Sequence, residues 1–338
     1  MKKVLLSTIA KECSLSVSTV SRVISGDSSR RIKDETRSLV LRKAEELGYF
    51  REHIRRLNAA SSIRAAVLFL SDHESLMSPF FSQIIDGIKE EAERNETADV
   101  DLSVLSLYDS HFFSRFSEGQ YDVAIILGRV RKDVLDRVRC AKTQLIYTGL
   151  NSIEDMDEVI CDARQGMQTA VEHLHSLGHR EIAFIGPVRQ EDLKNEFRFD
   201  GYLSGLERCG LSFDPGLVED SYLSAEDGYE KAGKLFSRKT PEAVICANDN
   251  LAVGVMKFLQ DRGFRIPQDV SVTGFDNIEE AAYLKPSLTT IDVPKKELGR
   301  FALRLALEKR QSGRKYNVKL SLPFTLVERE STKEATDA

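Results

Sequence analysis

The chain has 338 residues, of which 41% are hydrophobic and 30% charged, with a net charge of −5; this balance buries a real core and suits two or three domains. Its longest apolar runs, residues 65–70 and 123–127, are far too short for a membrane-spanning helix. The five cysteines (Cys13, Cys140, Cys161, Cys209, Cys246) lie far apart without a CxxC pair, which argues against a disulfide scaffold or thiolate metal site and for reduced thiols in a cytoplasmic protein.

Met1-Lys2-Lys3-Val4-Leu5-Leu6 opens like a secretory leader, but Ser7, Thr8 and Lys11-Glu12 interrupt the apolar stretch, so no leader is expected. A short amphipathic helix at 8–12 is followed by a turn at Ser14-Leu15. A second helix begins at Ser16, whose side chain can accept from first-turn N–H groups, and turns Val20, Val23 and Ile24 inward. After a loop at 26–29, a third helix runs from about 34 to 47 with Leu39, Val40, Ala44 and Leu47 inward, and Gly48 stops it. Residues 50–63 read as a connector, helical in its first half and linker-like through Ala59-Ala60-Ser61-Ser62.

From Arg64 the pattern changes. Apolar runs at 65–70, 102–107, 123–127, 145–147, 182–185, 243–246, 270–273 and 289–293 alternate with helical patterns such as 81–94, 167–177, 197–208, 227–236 and 251–263. Such alternation implies parallel sheets covered on both faces, with ligands bound beyond the carboxyl ends of the strands. Charge divides at the same place: residues 1–62 carry 13 Lys+Arg against 7 Asp+Glu, and the remainder 35 against 46, a basic head of +6 on an acidic body of −11. That split suits polyanion binding by the head, although a solvated basic head would look the same.

Residues 6–24, and above all Ser16-x-x-Thr19-Val20-Ser21-Arg22-Val23, closely resemble the helix-turn-helix of the LacI/GalR family of repressors, and Thr36-Arg37 and Leu47-Gly48-Tyr49 extend the match. The resemblance runs over essentially the whole chain. It implies an all-α helix-turn-helix head plus an α/β core of two doubly wound parallel-sheet lobes of the periplasmic-binding-protein type. The divisions expected are a DNA-binding head at 1–49, a hinge at 50–63, a first lobe at 64–160 plus 294–320, a second lobe at 161–291 plus 321–330, and a polar tail at 331–338.

A recognition helix reads base edges with its exposed N-terminal half. Here that face carries Val17, Ser18, Ser21 and Arg22. Arg22 has the fork geometry for guanine, and Thr19 and Ser21 are short hydroxyls suited to phosphate. By the resemblance, Val17 and Ser18 choose among operators, and Leu57 is the apolar wedge that opens a minor-groove base step. Two departures stand out. Ser14 occupies a turn position where the family usually has Gly, and Arg51 and Ile54 replace the hinge's usual Asn and small Ala.

In the core, residues 170–186 resemble the start of the second lobe. Phe197-Arg198-Phe199-Asp200-Gly201-Tyr202, Ala247-Asn248-Asp249-Asn250 and Thr273-Gly274-Phe275-Asp276 resemble its ligand segments. The resemblance implies that Arg198, Asn248 and Asp276 hydrogen-bond an effector. Such a set can satisfy adjacent hydroxyls, so a small sugar or sugar derivative fits. Leu223 stands where the family often has an aromatic, which leaves Phe80, Phe81, Tyr147 and Phe275 as stacking candidates beside Tyr222.

His173, His175 and His179 are spaced wrongly for joint metal ligation and read as surface and helix-end residues. Asp249 and Asp276 have no nucleophile placed beside them, and no P-loop, zinc signature, nucleophile elbow or dinucleotide fingerprint is present, so neither enzyme activity nor a cofactor or metal is expected. The leading reading is a homodimeric repressor released from a palindromic operator by a small saccharide. The alternatives are control by a protein corepressor, such as a phosphocarrier docking near Arg300 and Arg304, and, from other classes, a solute-binding receptor or a sugar-metabolising enzyme.

Overall fold

The computed structural model describes residues 5–25, 32–49, 62–70, 76, 78–95, 99–188 and 197–333. The chain divides into two units, residues 1–63 with 95–101 and residues 64–94 with 102–338.

In the head, α1 (Leu6–Glu12), α2 (Val17–Ser25) and α3 (Asp34–Glu46) share one small core of Ile9, Ala10, Cys13, Val20, Val23, Val40, Ala44 and Tyr49. Leu15, Ile24, Leu39 and Leu47 pack against it from partly buried positions. The turn after α1 explains the spacing of the first two helices. Ser14 N–H bonds to Lys11 O (3.2 Å) and Leu15 N–H to Ala10 O (2.9 Å), a Schellman closure with Ser14 in the left-handed region at φ 54°. Serine is strained where glycine would fit freely, as the sequence suggests. Gly48, at φ 73°, ends α3 with its N–H on Glu45 O (2.9 Å).

The core opens with β1 (Ile63–Phe69), α4 (Pro79–Arg94), β2 (Val100–Ser106), α5 (Phe112–Gly119), β3 (Val123–Leu127), α6 (Lys132–Arg139), β4 (Gln144–Gly149) and β5 (Asp157–Cys161). It crosses into a second lobe of α7 (Ala163–Ser176), β6 (Ile182–Gly186), α8 (Phe197–Arg208), β7 (Val218–Asp220), α9 (Ala225–Arg238), β8 (Ala243–Cys246), α10 (Asp249–Asp261), β9 (Ser271–Thr273) and β10 (Thr290–Asp292). It then returns to the first lobe as α11 (Lys295–Ser312) and β11 (Lys319–Leu322), and ends in β12 (Thr325–Val327) antiparallel to β10.

The first sheet has the order β11-β5-β4-β3-β1-β2 and the second β7-β6-β8-β9. Both faces of each are covered, which is why β3, β6 and β8 are buried at every residue and read as unbroken apolar runs. β11 stays in the first sheet to Leu322, so the lobes do not divide within it at 320. β5 escapes an apolar-run search because it starts with Asp157-Glu158. Asp157, fully buried, accepts two bonds from Arg314 (2.9 Å each) and one from Val318 N–H (2.7 Å). Burial alone would raise its pKa, yet these bonds and Lys309 hold it below the ordinary carboxylate value.

Helices α4 and α11 lie backbone to backbone: a Cβ on Gly87 would sit 2.0 Å from Lys296 O, and one on Gly299 2.0 Å from Ile84 O. Ion pairs lace the same seam. Glu90 takes Lys296 (2.9 Å) and Arg300, and Glu91 takes both arms of Arg304 (2.6 and 2.8 Å). The two arginines considered for corepressor docking are thus already engaged by carboxylates of their own lobe. Among the described residues, no helix is long and apolar enough to cross a membrane.

Candidate nucleic-acid interface and ligand cleft

On α2 the apolar face buries Val20 and Val23, which leaves Val17 (47% exposed) and Ser18 on the outer surface, with Ser21 and Arg22 partly exposed. Ser16 caps the helix as expected: its Oγ accepts Thr19 N–H (3.1 Å) and lies 2.9 and 2.8 Å from the hydroxyls of Ser18 and Thr19. First-turn N–H groups and three hydroxyls therefore gather at one helix start, an arrangement favourable to phosphate. Thr19 is only half-exposed and its hydroxyl is shared with Ser16. Leu57 and the hinge around it fall outside the described residues.

In the core, Arg198, Asn248 and Asp276 come together although they are far apart in the chain. Arg198 stands in the first turn of α8 and donates to Ala247 O at the end of β8 (3.0 Å). Asn248 caps α10, its Oδ1 accepting Leu251 N–H (2.9 Å) and its Nδ2 donating to Leu223 O (3.3 Å). Asp276 follows β9, with its N–H on Ile291 O (2.9 Å). All three are buried and face one cavity of about 300 Å³ between the lobes, with Ser78, Phe80, Phe81 and Leu150 on one wall and Leu223, Ser224, Asn250 and Ile278 on the other.

The structure selects among the aromatic candidates. Phe80 and Phe81 line the cavity edge to face, 5.1 Å apart at 88°. Phe275 is fully buried against Gly166, Tyr147 lies in the first-lobe core, and Tyr222 is 54% exposed; none of the three lines the cavity.

Asp249 emerges as a supporting residue rather than half of an acid/base pair. Fully buried, it accepts the Thr290 hydroxyl (2.6 Å) and Ile278 N–H (2.8 Å), and its own N–H donates to Phe275 O (2.8 Å). It thus clamps both ends of the loop carrying Asp276, within which Asp276 (φ 109°) and Asn277 (φ 50°) are left-handed. Gly274 makes room, since a Cβ there would lie 2.0 Å from Asp249 Oδ1. Burial pushes Asp249 up to about 7, against the opposing bonds from Thr290 and Ile278 and the charges of Lys295 and Arg329. From the head of α11, the buried Lys295 ammonium donates to the carbonyls of Asp276, Val293 (3.2 Å) and Asn277 (3.4 Å). Arg329 bonds Asn277 Oδ1 (2.8 Å). A signal for Asp249 exists in its position at the start of a helix after a buried strand, but its partners lie 29 and 41 residues away.

His173 and His175 stand in the last turn of α7, at the helix end as the sequence suggests, whereas His179 departs from the surface reading. His179 is buried with Nε2 3.1 Å from Lys333 O, and the half-buried His173 has Nε2 3.3 Å from Thr332 Oγ1; burial lowers both pKa values. They pin the C-terminal segment to the second lobe.

Known proteins resemble both parts of the chain. Residues 6–52 match the family model of bacterial regulatory proteins, lacI family, and residues 171–332 that of a periplasmic binding protein-like domain. The chain is 31% identical over 335 residues to the HTH-type transcriptional regulator DegA of Bacillus subtilis (strain 168), covering 96% of each protein. It is similar to the lac repressor dimer bound to operator and the anti-inducer ONPF (TM-score 0.74, 25% identity, covering 98% of this chain and 100% of that one). It is also similar to the transcriptional regulator CelR in complex with cellobiose (TM-score 0.71, 25% identity, covering 97% and 100%).

Proposed function

Because this chain belongs to the LacI family of bacterial regulatory proteins, we propose that it is a homodimeric repressor, acting in the cytoplasm, whose grip on a palindromic operator is released by a small saccharide in the interlobe cavity. The chain is a DNA-binding transcription regulator, not an enzyme. In this reading Val17, Ser18 and Arg22 meet base edges, Thr19 and Ser21 meet phosphate, and Leu57 enters the minor groove. Two heads are needed because one small module contacts too few base pairs for genomic specificity.

The observation that carries the sensing half is the convergence of Arg198, Asn248 and Asp276 on one cavity beneath Phe80 and Phe81. A guanidinium, an amide and a carboxylate offer donors and acceptors to neighbouring hydroxyls, and the phenyl rings cover the apolar face of a pyranose. Coupling follows from Lys295. It holds the Asp276 loop from the first turn of α11, the helix packed along α4, so a ligand that draws on Asp276 shifts the balance between lobe arrangements.

Duplexes recovered from a random pool by the full chain should contain a palindrome with half-sites about one helical turn apart. A thermal-shift panel of mono- and disaccharides, with cellobiose among them, should give hits that Arg198→Ala removes while operator affinity stays intact. Recovery of unrelated sequences would end the repressor reading; hits that survive Arg198→Ala would move the effector elsewhere.

A further inference from the structure

The first lobe has a second concavity, at the end of its sheet opposite the ligand cleft. It has a volume of about 470 Å³ and lies where α6 and α11 finish and where β4 and β5 begin. Its polar wall consists of Arg139, Thr143, Gln144, Asp155, Lys309 and Asn317, and this wall is richer in donors than in acceptors. Arg139 donates to Glu154 O (2.5 Å), and among the described residues no carboxylate lies within ion-pair distance of it. Among the described residues, the carboxylate that Lys309 pairs with is Asp157 (3.4 Å), whose charge the bidentate Arg314 already offsets. Asn317 Oδ1 accepts from Lys309 (2.9 Å), which leaves its amide nitrogen as a donor. Among the described residues, Asp155 is the one carboxylate on the wall.

We propose that this concavity is a second small-molecule site, taking a small organic phosphate that carries a neighbouring hydroxyl. The phosphate oxygens accept from Arg139, Lys309 and Asn317, and the hydroxyl donates to Asp155. Charge-assisted bonds to a guanidinium and an ammonium supply the affinity, and the volume readily admits a metabolite of a few carbons. The position bears on regulation. Gln144 N–H bonds Asp122 O (3.1 Å), and the Asp122 carboxylate accepts both Arg310 (2.8 Å) and the backbone N–H of Arg64 (2.9 Å). Arg64 is where the sequence passes from linker to core, so an occupant of this site acts at the point from which the head is tethered, independently of the saccharide cleft.

The probe is sodium glycerol 3-phosphate, titrated onto the full chain at fixed ionic strength, with glycerol and sodium sulfate as comparisons. The expected result is a dissociation constant of about 1 mM or tighter. It should weaken at least about tenfold in Arg139→Gln, a substitution at an exposed position whose own unfolding midpoint serves as its baseline. Asp155→Asn should strengthen inorganic phosphate binding, by removing a like charge, while narrowing the advantage of glycerol 3-phosphate over it. Amide exchange should slow at 139–145 and 309–317 and stay unchanged at 275–278. Equal response to sulfate, full binding by Arg139→Gln, protection confined to the cleft, or no binding would each overturn the proposal. None of these readouts needs the operator or the saccharide.

Discussion

Replacing Asp249 by Asn keeps the size of the side chain and removes one proton equilibrium. Burial pushes this carboxyl up to about 7 in the folded chain, whereas an unfolded aspartate titrates near 4. Over the interval between those values the folded state holds a proton that the unfolded state has released. A group raised in this way lends stability that is complete below about pH 4 and is lost as pH rises through about 7. Three pKa units correspond to roughly 4 kcal/mol in full, and somewhat more than half of that falls between about pH 5 and about pH 7.5. The partly and fully buried His173 and His179 act in the opposite sense: their lowered pKa values make stability fall as pH drops below about 6.5. Subtracting the Asp249→Asn curve from the wild-type curve cancels them. The chain has no tryptophan, so urea unfolding is followed by far-ultraviolet circular dichroism. Wild type should lose roughly 2 to 3 kcal/mol relative to Asp249→Asn across that interval. Curves that run parallel within about 0.5 kcal/mol would refute the claim that burial raises the Asp249 carboxyl in the folded chain.

Three further outcomes are expected. Ser14→Gly relieves the left-handed strain in the helix-turn-helix and should stabilise the head by about 1 kcal/mol, read as about fivefold slower exchange of the Leu15 amide that bonds Ala10 O; unchanged exchange would mean the turn is not strained. Asp157→Asn strands the buried Arg314 and should cost the core about 3 kcal/mol in denaturant unfolding, and a loss below about 1 kcal/mol would show that water reaches the pair. Arg22→Ala should erase about 1–3 kcal/mol of discrimination between the selected operator and random DNA with little change in nonspecific affinity, which competition binding measures; an undiminished preference would remove Arg22 from base reading.

Local chemistry makes the head readable from sequence. Ser16 caps α2 through a neighbour three residues on, Gly48 stops α3 at its own position, and the inward faces of Val20, Val23 and Val40 follow helical spacing. The buried strands of the core are equally legible, because an element covered on both faces has no polar side to show. What escapes is set by distance along the chain. β5 passes unnoticed because the carboxylate that opens it is neutralised by an arginine 157 residues away. The same holds for the site: the motif segments point to Arg198, Asn248 and Asp276, but nothing local shows that Asp249 supports them, that Lys295 reaches the Asp276 loop from another helix, or that Phe80 and Phe81 line the cavity while Phe275 turns into the core. A side chain's capacity to donate, accept or hide from water is written at its own position. Which partner meets that capacity depends on how the sheets and helices bring remote segments within bonding reach, and only the folded chain decides that.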